Sequence, residues 1–117
     1  MSGTARHDIT IRQGATFIWS ITLEDENEQV LSLTSATARM QARVRLGDTD
    51  TLFSLTSGAG DIAVDGTAGS VTVTIADTAT DDYDFETGVY DLEVIESDGT
   101  VLRVVEGVVE LSKEVTR

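Results

Sequence analysis

The side chains of this 117-residue chain that could do chemistry are one imidazole, a surplus of carboxylates and a short run of arginines. Nucleophilic catalysis needs Ser, Thr or Cys beside a base that a third group orients. Cysteine is absent and His7 is the sole imidazole; so close to a terminus it reads as a solvated side chain. "GDTDTL" and "DGTAGS" lack the lysine and following helix of a phosphate loop. Asp77, Asp81, Asp82, Asp84 and Glu86 crowd "DTATDDYDFE", with a smaller pair at Asp48 and Asp50. Calcium takes alternating oxygen ligands from a loop that a glycine curls. Ala79 breaks that alternation and no glycine is present, so solvated acidic loops are expected. A glycosidase would set two carboxylates across a cleft, and six aromatic residues leave little to line one. These residues predict a non-enzymatic protein with no cofactor and no metal.

The arginines are more informative. In "ATARMQARVRL", Ala36, Ala38, Met40, Ala42, Val44 and Leu46 alternate with Thr37, Arg39, Gln41, Arg43 and Arg45. As a strand, this points the first set inward and lines three of the eight cations along one outer face, about 7 Å between alternate residues. Neighbouring strands could supply Asp91 and Glu93 as exposed cross-strand partners of small individual value. The stripe could instead grip carboxylates on another subunit, which the planar guanidinium suits. The acidic loops at 24–28 and 77–86, with Asp81, Asp82 and Asp84, are candidates for that surface, so copies of this chain could pair head to tail.

Period two runs through the rest of the sequence and must position these groups. "ATFIWSITLE" puts Phe17, Trp19, Ile21 and Leu23 on one face, with Ile18 as the exception. "DENEQ" at 25–29 is a charged turn, followed by the short apolar "VLSL". "TLFSLT" (51–56), "IAVD" (62–65) and "SVTVTIA" (70–76) are short strands separated by glycine-rich turns. "GVYDLEVIE" and "TVLRVVEGVVELS" flank "SDGT", whose Asp98-Gly99 is a strong hairpin signal. "HDITIR" (7–12) reads as an edge-like first strand. In the last strand the inward phase changes from Leu102 and Val104 to Val109 and Leu111, which suggests a bulge at Gly107. Only "DTATDDYDF" (77–85) offers a helical turn, with Asp77 as its cap. The expected fold is all-β: an Ig-like antiparallel sandwich of about seven to nine strands with little or no helix, in one domain over 1–117. Trp19 on an early strand fits that fold, and Glu86-x-Gly88-x-Tyr90 has the local order of a tyrosine corner.

Charge and hydropathy exclude several classes. Eight Lys plus Arg against 21 Asp plus Glu give a net charge of −13, which disfavours a nucleic-acid backbone as partner. No run approaches the ~18 apolar residues of a membrane helix, and "MSGTARHD" has no apolar export segment. Hydrophobic content of 40% is too high for a disordered acidic tail.

Several of these segments together resemble small structural proteins of tailed-bacteriophage virions. The resemblance is carried by Gln13, Gly14 and Phe17; by Leu33, Thr34, Arg39, Met40, Gln41 and Arg43; by Gly88, Tyr90, Asp91, Leu92, Asp98 and Gly99; and by Val115 to Arg117. Ser35 stands where those proteins typically have glycine. The chain is also similar to the amino-terminal Ig-like module of baseplate upper proteins. The resemblance implies a structural protein that docks to other virion subunits and to copies of itself, without catalytic residues, nucleic acid or membrane. Tail, baseplate or connector is the expected location, with capsid decoration (a cement protein) as the alternative and assembly in the host cytoplasm. A calcium- or carbohydrate-binding sandwich is the alternative of another class.

Overall fold

The computed structural model describes residues 4–24 and 27–115. Alternation forms the strands where it was read, as β1 (Ala5–Arg6), β2 (Ile9–Arg12), β3 (Phe17–Thr22), β4 (Thr37–Arg43), β5 (Phe53–Thr56), β6 (Ile62–Asp65), β7 (Ser70–Ile75), β8 (Thr87–Ile95) and β9 (Val101–Ser112). A single helical turn, α1 (Asp77–Asp81), joins β7 to β8. One sheet has the order β1-β9-β8-β4-β5, with β2 also on β9; the other is β3-β7-β6. The connections β3–β4, β5–β6 and β7–β8 cross between sheets, as in Ig-like sandwiches.

Between the sheets lies one apolar cluster. Met40, Leu92 and Val94 from the larger sheet and Val71 and Val73 from the smaller are at most 1% exposed. The residues between them in sequence face solvent, so β4 and β8 each carry a core face and a polar face. Ala38 and Ala42, both small, let the smaller sheet approach β4.

Six details differ from the sequence expectation. The sandwich is not purely antiparallel: β1 and β2 run parallel to β9, Ala5 opposite Val105 and Ile9 opposite Val109. A long connection from β2 through the other sheet makes that direction possible, since parallel strands cannot be joined by a tight turn. It also makes β9 an interior strand, so the carboxy-terminal segment "EGVVELS" offers no open edge to a neighbour.

The bulge lies at Val104–Val105, between the pairs Leu92–Val105 and Glu93–Arg103. Both valines are buried there, which is how the inward phase changes. Gly107 has another task. A Cβ on it would overlap the His7 carbonyl and come within 2.9 Å of Asp8 Oδ1. The missing side chain admits the β1–β2 junction, where Tyr90 donates its hydroxyl to the His7 carbonyl. Asp8 Oδ1 accepts from the Val108 amide at 2.9 Å. Tyr90 is therefore no tyrosine corner: its partner is 83 residues away rather than a few residues upstream. Burial first, and Asp8 second, push its hydroxyl far above the usual phenol range, so it stays a donor. His7 is exposed but not merely solvated; its ring stacks on Trp19 at 5.4 Å, and Trp19 meets Tyr90 edge-on at 5.9 Å.

The inward run in "ATARMQARVRL" stops early. β4 ends at Arg43, leaving Val44 49% and Leu46 93% exposed. A tight turn ends it: Gly47 takes φ +94° and the Arg45 amide donates to Asp48 Oδ2 at 3.2 Å. Asp77 sits inside α1 rather than capping it; Ala76 is the cap residue and makes no side-chain bond there. Thr80 anchors the turn instead, its hydroxyl donating to the Ala15 carbonyl at 2.8 Å and accepting from the Gly14 amide at 3.1 Å. Gln13, 8% exposed, ties the same corner by donating to the Tyr83 carbonyl and accepting from the Glu114 amide, both at 2.9 Å.

The Asp98-Gly99 hairpin forms as read, with Gly99 at φ +92° and Asp98 Oδ1 accepting from Thr100 N at 2.9 Å. Of the "DENEQ" turn, Asp25 and Glu26 lie outside the described residues, and Glu24 bridges Val30 around it. Ser35 takes φ +60°, the left-handed geometry that glycine adopts freely.

Three substitutions read these contacts out as stability. Gly107→Ala should force the amino-terminal strand off β9 and lower unfolding free energy by about 1–3 kcal/mol. Gly58→Ala, where a Cβ meets open space, should change it by less than about 0.5 kcal/mol. Ser35→Gly should relieve the left-handed strain and stabilise by about 1 kcal/mol. Urea denaturation followed by Trp19 fluorescence measures all three.

Candidate functional site

The outer face of the larger sheet holds a surface depression, a space of about 370 Å³ lined by residues of β1, β4, β8 and β9 together with Leu46. Arg39, Gln41 and Arg43 project from β4 opposite Glu93, Asp91 and Val89 of β8. Arg103 and Glu106 project from β9, and parallel pairing sets Arg6 beside Glu106. Four of the chain's eight cations thus share one face with three carboxylates.

Most of these charges have partners within the chain. Arg39 Nε donates to Glu93 Oε1 at 2.7 Å, so the cross-strand pairing holds for that residue. Arg103 lies 3.7 Å from Asp91 and 3.5 Å from Glu106. Arg43 is half-buried and turns inward along its own strand end, donating to the carbonyls of Asp48 and Thr49 at 3.1 Å each and to Gln41 Oε1 at 2.9 Å. Its work is to hold the turn that carries Leu46. Gln41 also donates to Ser54 Oγ at 3.3 Å. Arg45 lies beyond β4 and is exposed.

Asp81, Asp82 and Asp84 are elsewhere, in α1 and the connection to β8. Asp84 and Glu86 face Lys113 at 3.4 and 3.7 Å. Because β3 and β7 are antiparallel, Glu24, just past the end of β3, and α1, just past the end of β7, sit at opposite ends of the sandwich. Among the described residues no cluster of His, Asp and Glu is arranged to hold a metal ion, and no helix is long and apolar enough to cross a membrane.

The sequence reading missed Leu46, Val89, Arg6, Arg103 and Glu106 as members of this face. Val89, Asp91 and Glu93 were legible from alternation in β8. Arg103 and Glu106 fall on one face only because the bulge at Val104–Val105 shifts the phase between them.

Asp91 is the most constrained carboxylate of the face. Burial, with Glu93 and Glu106 adding to it and Arg103 and Arg43 opposing, holds its carboxyl above the ordinary range. No protein-family model matches the chain, and no curated protein matches it in sequence. What the fold and the face define is an all-β sandwich with a mixed-charge face on its larger sheet.

The Asp91 shift has a sign that can be measured. The folded chain holds this proton more tightly than the unfolded chain, so ionisation costs stability as pH rises through the folded value. Asp91→Asn should therefore melt above the wild type at neutral pH, and the gap should close as pH falls toward 3.8, the ordinary carboxyl value. Thermal melts across that range measure it.

Proposed function

We propose that this chain is a non-enzymatic structural protein of a tailed-phage virion, docking to other virion subunits through the outer face of β4, β8 and β9. Tail, baseplate or connector is the location the sequence resemblance favours, and a decoration role on the capsid is the other placement. The observation that carries the docking reading is Leu46. A leucine 93% exposed stands at the rim of a depression that gathers half of the cations of a strongly acidic chain. Interface cores are depleted in most charged side chains but enriched in arginine, and Leu46 stands beside arginines on a face where charges of both signs are gathered.

The chemistry of the face suits recognition. Its charges are paired with one another, with Asp8 in the case of Arg6, or bound to backbone carbonyls, which suits recognition more than proton transfer. Arginine forks and carboxylates along three adjacent strands give a patterned surface that reads a complementary partner.

Arg39→Glu combined with Leu46→Asp should leave circular dichroism and melting almost unchanged, since both side chains are largely solvent-facing. The variant should be missing from purified phage particles that incorporate the wild type. Immunogold labelling of wild-type particles assigns head or tail, and particles that never carry the protein would end the reading.

A further inference from the structure

The face described above is complementary to itself. Charge is sorted by strand: β5 is neutral with Ser54 and Thr56, β4 carries Arg39, Gln41 and Arg43, and β8 carries Val89, Asp91 and Glu93. β4 and β8 are neighbours in exact antiparallel register, Arg39 beside Glu93 and Gln41 beside Asp91. Consider a two-fold axis parallel to the strands, between β4 and β8 and just above the face. It lays β4 of one copy over β8 of the other while keeping each residue at its own height. Arg39 then meets Glu93 of the second copy, Gln41 meets Asp91, and Leu46 reaches Val89 at the same end. Every favourable contact occurs twice, as an isologous interface requires.

We infer that this face pairs with the same face of a second copy of the chain, making a two-fold dimer. The inference rests on the docking reading above and names its partner.

Three observations favour a second copy over an unlike partner. The first is charge. The face has four arginines (Arg6, Arg39, Arg43, Arg103) and three carboxylates (Asp91, Glu93, Glu106), which leaves it one positive charge. The whole chain carries −13, so the remainder is about −14, and approaches through its acidic ends and loops bring like charges together at short range. The second is the Arg39–Glu93 pair. Two such pairs turned over each other form a square in which each charge has two opposite neighbours, and networks of this kind outweigh isolated surface pairs. The third is size. With the axis between β4 and β8, four strands at ~4.8 Å and about seven residues at ~3.3 Å overlap over roughly 19 by 23 Å. Side-chain relief and the Leu46 turn add to that, giving the extent of a small, reversible interface.

Sedimentation velocity of the full chain from low to high micromolar concentration tests this. The wild type should dimerise. Arg39→Glu, which makes the facing pairs all acidic, and Glu93→Arg, which makes them all basic, should each raise the dissociation constant at least about tenfold. An equimolar mixture of the two variants should recover the dimer as a heterodimer, a result that altered folding of either cannot produce. Circular dichroism of each variant alone confirms that both are folded. A monomeric wild type, or a mixture that stays monomeric, overturns the inference. If the wild type is monomeric while Arg39→Glu with Leu46→Asp is still excluded from particles, the face docks to an unlike subunit and only the self-pairing fails.

Discussion

Much of this structure depends on the crossing of the His7 carbonyl over Gly107. Tyr90 donates upward from β8 to that carbonyl through the gap left by the absent side chain. Asp8 and the Val108 amide close the crossing on the far side, and the His7 backbone amide donates to the Glu106 carbonyl at 2.9 Å. A buried phenol without a partner would cost about 1–3 kcal/mol, so the bond keeps β1 and β2 where they are. Covering β9 with a parallel strand removes an open edge that would otherwise template association. It also brings Arg6 to the rim of the depression, beside Arg103 and Glu106. The same contact that closes the fold therefore completes the face.

That face is costly in folding terms. Exposed ion pairs contribute little each, and Asp91 is held where its charge is disfavoured. Nothing in the core requires the arrangement, because Leu92 and Val94 pack inward whatever stands at 91 and 93. Charge of both signs concentrated on one sheet face, in a chain otherwise acidic, makes physical sense when another surface completes it.

Alternation made most of the fold legible. The inward sets of β3 and β4 were read from period two because both layers bury one side of every strand, and Asp98-Gly99 marked its hairpin through turn chemistry alone. What was not legible shares one cause: long-range partners decide it. Gly107 reads locally as a bulge, but it answers to His7, a hundred residues before it. Tyr90 reads locally as a corner, but its hydroxyl bonds across the sheet. The true bulge, at Val104–Val105, carries no glycine and is visible only as two buried valines in a row. Val44 and Leu46 continue a perfect alternation on paper; the Arg43 and Asp48 contacts that end the strand lie in three dimensions. The Arg39 pairing with Glu93 was among the readings left open, while Leu46, the side chain that makes the face unusual, was assigned to the core.

The two outer surfaces of the sandwich differ in a way that bears on how it could dock. On the smaller sheet Ile18, Ser20, Thr22, Ala63, Thr72 and Thr74 face outward, with Ser20 and Thr72 hydrogen-bonded at 2.8 Å. That surface is nearly uncharged and its hydroxyls are partly satisfied by one another, so it neither attracts nor repels a charged neighbour strongly. The ends of the sandwich carry acidic residues such as Glu24 at one and Asp81, Asp82 and Asp84 at the other. Copies approaching end to end meet like charge. The β4–β8–β9 face instead offers opposite charges at matched heights together with the exposed Leu46. In the proposed pairing, like charge at the ends and complementary charge on that face act together, since a surface selects its partner as much by the approaches it penalises as by the one it rewards.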